Sequence, residues 1–422
     1  MPGKILVDIT PLRDSRDFRL LFTGQLVSML GSQLTVVAIP YQIYEMTHSS
    51  LQVGAVSLAQ LLPFIAGALV AGPMGDSHDR RRIMLWTAAG LLLTSAALAY
   101  NASAAHPSLL AIYLVSGVAA ALNGFSNTAR MASVPGLVER RHIAAAAAMM
   151  QVTFQVGAVV GPALSGLLLG IGLPFVYGID AGTFLVVMVA TFMMRPIPPA
   201  EGASLRPWAS TKEGIRYLRS RQVLQGVYII DINAMVFGMP RALFPAMAGS
   251  VFGGGTITLG FLYAAPGVGA LIGAVTTGWV ANLKRQGRAV IVAVMAWGVA
   301  IALFGLVDTL WVALVLLAIA GWADVISAVL RNTILQSSIP DRFRSRMSSI
   351  QMAVVQGGPR LGDMESGAVA TATSVEFSVV SGGLACIVGA AVIGLLMPRL
   401  RHHVAGEVDE VLTEEPGALG PG

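Results

Sequence analysis

Long apolar runs separated by short charged loops recur along the whole chain. Residues 83–100, 109–122, 176–194, 289–307, 310–323 and 377–397 carry almost no charge. Several reach the ~20 residues with which a helix crosses a hydrocarbon layer. The pattern predicts spans at 18–44, 51–73, 83–102, 108–130, 144–169, 176–194, 224–250, 258–281, 289–307, 310–331, 349–371 and 374–397. The expected fold class is an all-α membrane protein with twelve transmembrane helices in two pseudo-symmetric six-helix bundles. Residues 1–194 form the first bundle and 224–397 the second. Between them, 195–223 reads as a cytosolic linker, with Pro196, Pro198, Pro199 and Pro207 ahead of a basic amphipathic stretch at 211–221. The acidic, Gly- and Pro-rich tail, 398–422, reads as disordered.

Composition removes the soluble alternative. A soluble domain carries about a quarter charged residues; here 12% are charged and 55% hydrophobic, and mean hydropathy is +0.72. So few charges cannot cover a water-facing surface, whereas a lipid-facing one needs none. The one cysteine, Cys386, lies in an apolar run, so there is no intrachain disulfide and the residue reads as packing. Residues 1–18 mix Lys4, Arg13 and Arg16 with Asp8, Asp14 and Asp17, which is no cleavable signal peptide.

The net charge of +5 is distributed by side. Arg and Lys fill the loops around Arg16, Arg80, Arg140, the linker, Arg285, Arg342 and Arg399. The alternate loops, around His48, Ala104, Leu173, Gly254, Asp308 and Thr373, hold neither. The positive-inside rule then predicts a multi-pass protein with both termini cytosolic, and the excess of Arg over Lys with abundant Ala and Gly fits a GC-rich bacterial genome and so a bacterial inner membrane. This distribution carries orientation and gives no sign of nucleic-acid binding.

The halves repeat. Arg130 and Arg331, Gly157 and Gly358, Gly161 and Gly362, and Gly166 and Gly367 are each 201 positions apart. Two parallel six-span repeats are the layout of major facilitator transporters, with a substrate site between halves near mid-membrane. The loop after the second span resembles the signature of that superfamily at Gly72, Asp76, Arg80, Arg81 and Arg82, and departs from it at Ser77 and Asp79. The resemblance implies a gate at the cytosolic face, where Asp76 can cap a helix N-terminus and the arginines can bridge the halves in one conformation. A degenerate second copy ends at Arg288. In span five, Gly157, Gly161, Pro162 and Gly166 resemble the motif of drug and metabolite exporters, with Ser165 in place of a glycine. Gly157 and Gly161 share a helix face suited to close packing, and Pro162 kinks the helix.

The segments at 47–49, 51–54, 107–114, 241–245 and 259–265 resemble the bacterial enterobactin-exporter group. The resemblance runs colinearly from Phe18 to Met397. Macrolide-efflux relatives share the stretches 128–130 and 358–363. The glycines at 267, 269 and 273 match a dinucleotide fingerprint only in letters, since they follow no strand and lie in a span. There is no catalytic Ser, Cys or His constellation and no phosphate-binding Lys loop. No enzyme activity, cofactor or metal is expected, and an ion gradient must supply the energy.

Ionisable residues inside a membrane mark function. Asp363, Glu365, Asp231 and Asp324 are the proton-coupling candidates. Arg360 and Asp363, at i and i+3, can pair along one helix, while Glu365 turns towards the face of Gly358 and Gly362. Arg130 and Arg331 close their spans and read as structural, and Asp180 near the outer end reads as solvated. Gln25, Ser28, Ser32 and Thr35 form a polar stripe that faces either the cavity or a neighbouring helix. Arg241 and Arg360 can supply positive charge to a ligand, and Gln25 and Gln155 hydrogen bonds. The repeats, the gate signature and the buried acids point to a proton-coupled antiporter working by alternating access as a monomer, and the resemblance implies an enterobactin-like siderophore as cargo, with small molecule, protons and lipid as partners. A multidrug or macrolide pump and a non-transporting membrane sensor are the alternatives.

Overall fold

The computed structural model describes residues 8–197 and 215–404; side chains at 72–73, 75–77, 281–282, 341–342, 344–346 and 349 also lie outside the described residues. Twelve long helices follow one another: α1 (Arg16–Thr47), α2 (Ser50–Ser77), α3 (Arg80–Ser103), α4 (Leu109–Leu137), α5 (Ile143–Leu169), α6 (Leu173–Phe192), α7 (Gln222–Phe237), α8 (Thr256–Thr276), α9 (Gln286–Phe304), α10 (Leu310–Ser338), α11 (Asp341–Ala372) and α12 (Val375–Leu396). Polar side chains start several of them. The hydroxyls of Ser15, Ser49, Ser108 and Ser374 accept from backbone N–H groups at the first turns of α1, α2, α4 and α12, donors the helix itself cannot satisfy.

Eleven of these membrane segments are apolar enough to count as spans on hydropathy alone among the described residues. The exception is α11, which carries Arg360, Asp363 and Glu365. The seventh span is broken. After α7 the chain passes Gly238 and Pro240, makes one tight turn at Arg241–Leu243 and resumes as a short helix, Phe244–Ser250. Pro240 has no N–H to donate. Carbonyls freed by the break need donors inside a membrane; Trp297 Nε1 donates to Gly238 O at 2.8 Å and Tyr263 Oη to Arg241 O at 3.0 Å.

In the first half, α1 packs on α5 and α6, α2 on α4, and α3 on α4 and α6. In the second, α8 packs on α10, α9 on α10 and α12, and α7 on α11 and α12. The halves meet chiefly through two seams, α2 with α11 and α5 with α8, which exchange when the halves exchange. Glycine makes both seams close. The Gly54 and Gly367 backbones lie against those of Asp363 and Ser50, and a Cβ on Gly166 would come within 2.7 Å of Thr256 O and 2.8 Å of Gly260 Cα.

The seams do not close along their full length. One buried core joins Leu34, Val37, Ile43 and Val53 of the first half to Leu243, Phe244, Met247 and Leu259 of the second. At the end bearing the Arg-rich loops, Phe18, Leu21, Ile83, Met84, Val134 and Met149 form a separate core confined to the first half. Val152 of α5 and Met352 and Val355 of α11 are exposed towards that basic end. Among the described residues, an apolar core joins the halves at the opposite end and none joins them at the basic one.

Three expectations need correction. α4 and α10 run on to Leu137 and Ser338, so Arg130 and Arg331 lie inside their helices, two turns before the ends. The seventh span is not one helix. The tail is ordered at its start: a short helix at Pro398–His402 places fully buried Leu400 against Gly226 and Gly287. Of the amphipathic linker stretch, 215–219 is helical and 198–214 lies outside the described residues, as does 405–422.

Candidate functional site

The broken seventh span and α11 bring one set of charges to the α2 seam. Asp363 is 6% exposed. Ser57 of α2 donates its hydroxyl to Asp363 Oδ2 at 2.8 Å, and Arg241 Nη2 lies 3.9 Å from the same oxygen. Arg360 places its guanidinium 4.7 Å from the ring centroid of Phe64 on α2 and donates to Gln356 O at 3.0 Å. Arg360 therefore does not pair with Asp363, as their spacing on α11 would allow; the Phe64 ring and the turn of backbone below it hold it instead. Arg241 Nε and Asp363 Oδ1 are buried and have no hydrogen-bond partner. Two guanidiniums against one carboxylate leave the set one charge positive, with bonding capacity unspent.

A second set lies wholly in the second half. Arg331, 5% exposed, has Nη2 3.0 Å from Asp231 Oδ1 and 3.8 Å from Asp324 Oδ1, and its Nη1 donates to Ser327 Oγ at 3.0 Å. The Asp231 contact is an ion pair whose angle does not make a hydrogen bond. Here two acids share one cation.

A third group corrects the sequence reading of Asp180 as solvated. Asp180 is 2% exposed, and Oδ2 accepts from Thr35 at 2.7 Å and Ser95 at 2.8 Å. Among the described residues it makes no ion pair, and Oδ1 is without a hydrogen bond. Thr35, drawn from the polar stripe of α1, faces α6. Gln25, Ser28, Ser32 and Gln155 are half-buried and bond to no described side chain. Glu365 is half-buried and makes no ion pair or side-chain hydrogen bond among the described residues.

At the candidate gate, the side chains of Gly72 and Asp76 lie outside the described residues. Arg80 donates to Ala132 O at 2.8 Å; Arg81 donates to Thr191 O at 3.1 Å and to Phe192 O, and lies over the Phe192 ring. These bonds tie α3 to the ends of α4 and α6 in the same half. Arg82 is exposed. Asp79, a departure from the signature, has a use the sequence reading missed: Oδ1 accepts from Arg81 N at 2.9 Å, capping α3, and from Ile197 N at 3.0 Å, holding the exit from α6. In α5, Gly157 faces Met29 and Gly161 faces Gln33 on α1, while Gly166 faces α8. Ser165 Oγ donates to Leu34 O at 3.0 Å. Pro162 lies in mid-helix.

Two six-helix halves joined along symmetric seams, with charges gathered where a broken helix meets one seam, define a major facilitator transporter. Solved structures of that fold align over nearly the whole chain. A mutant of the nucleoside transporter NupG covers 90% of this chain and 99% of its own at TM-score 0.76 and 12% identity. A bacterial homologue of the human lysosomal transporter Spinster covers 91% and 98% at TM-score 0.71 and 14% identity. The profile of the transmembrane secretion effector family matches residues 7–413, and the chain belongs to that family. The enterobactin exporter EntS of Escherichia coli K12 is 29% identical over 399 residues, 94% of this chain and 95% of that relative. The EntS of Shigella dysenteriae is 30% identical over the same shares. This is a multi-pass membrane exporter of the enterobactin-exporter-like group.

Proposed function

We propose that the protein exports an acidic, enterobactin-like siderophore from the cytosol in exchange for protons, as a monomer in a bacterial inner membrane with its basic end cytosolic. The supporting observation is the Ser57–Asp363–Arg241 contact across the clamped seam. In this inward-open form the ionised Asp363 carboxylate accepts from Ser57 and faces Arg241. An anionic cargo entering from the cytosol competes for Arg241 and Arg360, which loosens the latch. Opening the outer end parts α2 from α11 and wets Asp363, which takes a proton there. The neutral acid still accepts from Ser57 through its carbonyl oxygen, so the outer end closes with the proton aboard, and the proton leaves inward once Arg241, free of cargo, faces Asp363 again. Arg80, Arg81 and Arg82 belong in this scheme to the cytosolic gate with Asp76, and Gly157, Gly161, Pro162 and Gly166 to the hinge that α5 makes with α1 and α8.

The test uses inside-out vesicles with a catecholate siderophore as cargo. Uptake should follow an imposed proton gradient in the wild-type protein. Asp363→Asn should abolish that drive while leaving cargo exchange across the membrane. Wild-type proton dependence in Asp363→Asn would move the coupling to Glu365, Asp231 or Asp324. A multidrug reading draws on the Asp231–Arg331–Asp324 set, whose excess negative charge suits a cationic drug; unchanged siderophore secretion with raised drug sensitivity in an iron-starved deletion strain would favour it.

A further inference from the structure

Arg130 and Arg331 occupy matching places in the two repeats, yet only Arg331 has acids beside it. α1 carries no acid between Asp17 and Glu45, and α4 carries none at all. Arg130 forms no ion pair with any described residue, Asp17 included. Its one hydrogen bond runs from Nη2 to Asn127 Oδ1 at 2.8 Å, one turn back on its own helix. Asn127 brings no charge. A guanidinium held inside a membrane bundle without a counter-ion is costly.

The space beside it is shaped for one. A cavity of about 20 Å³, enough for a water-sized occupant, is lined by Arg130, Ser126 and Gln25, with Leu21, Met84 and Ala190 closing apolar sides. Neither Gln25 nor Ser126 bonds to a described residue. None of their polar atoms, nor the remaining Arg130 nitrogens, is enclosed without a partner, so all remain open to an occupant. Three residues that can donate thus line one small space that no acid lines, near the basic end.

We propose that Arg130, Ser126 and Gln25 form an anion subsite in the first half, separate from the Asp363 set, that takes a single negatively charged atom. The occupant is a small free anion or one ionised oxygen of a cargo; only the second source rests on the export reading above.

The test measures thermal stability of the purified full-length protein in detergent at constant ionic strength, with gluconate replaced stepwise by chloride or formate. The wild-type midpoint should rise and saturate. Arg130→Gln should weaken that response roughly ten- to a hundred-fold, the scale of a lost charge-assisted hydrogen bond, and Ser126→Ala roughly three- to ten-fold. Calorimetric binding of protocatechuate, a catechol carboxylate, separates the sources. Binding that is Arg130-dependent and indifferent to chloride assigns the site to cargo oxygen; binding that needs chloride, or is absent beside a saturable chloride response, assigns it to free anion. Ser126→Ala and Gln25→Leu stand in if Arg130→Gln does not fold. Responses to all three anions that are absent, or equal in wild type and variants, overturn the proposal.

Discussion

Removing the guanidinium of Arg331 is the sharpest available test of the charge arrangement. Arg331→Gln leaves Asp231, 5% exposed, without its ion pair at 3.0 Å. Breaking a buried pair on one side costs about 3–5 kcal/mol, because the remaining charge stays desolvated. Asp324 adds less. Its Oδ1 is enclosed but 3.8 Å away, and it shares the one cation with Asp231, so Asp324→Asn should cost less than Arg331→Gln. Neutralising the set together, Arg331→Gln with Asp231→Asn and Asp324→Asn, removes the uncompensated charge and should recover most of the loss. Folded fraction after graded heating, read by size-exclusion chromatography in detergent, would order the variants. The triple variant should lie between wild type and Arg331→Gln. A triple variant no better than Arg331→Gln, or an Arg331→Gln protein as stable as wild type, would refute a desolvated pair at this site.

Three further outcomes follow from the seams and the tail. Ser57→Ala removes one cross-seam hydrogen bond to a charged group, worth about 1.5–3 kcal/mol, and should raise labelling of a cysteine introduced at Ser50; Cys386 is buried, so the background is low. Gly166→Val places a Cβ against Thr256 O and the Gly260 backbone, so that seam cannot close and the same labelling position should become accessible in the absence of cargo. Leu400→Ala empties a fully buried site against Gly226 and Gly287 and should destabilise the second half by about 2–5 kcal/mol, read in the same heating assay.

Hydrocarbon enforces long uncharged runs, so eleven spans were legible as such. The span of α11 was placed by the same pattern although Arg360, Asp363 and Glu365 interrupt it, and its repeat glycines Gly358, Gly362 and Gly367 support it. The break after α7 had a signal in Gly238 and Pro240, but the apolar run continues across it and outweighs two residues. Candidate acids were legible because charge is rare in a membrane; their partners were not. Thr35 and Ser95 reach Asp180 from 145 and 85 residues away, and no local spacing reports that. Arg360 shows the converse: an i, i+3 pairing that the helix permits lost to an aromatic ring on another helix. Asp79 carried an ordinary helix-start signal ahead of the arginines, hidden because it stood where a superfamily signature has another residue.

The two side chains that cap the broken seventh span are rooted in α8 and α9, and both belong to the same half as α7 and α11. Arg241, Asp363 and Arg360 consequently share one frame of reference, while the first half offers them only a hydroxyl at Ser57 and a ring at Phe64. When the halves rock, the titratable groups travel together and the neutral face slides past them. On the export reading proposed above, the groups that meet an anionic cargo and the one that takes the proton stay together in the second half. Residues of α2 that face the seam could then be exchanged, altering the fit of the neutral face, without changing which groups carry charge there.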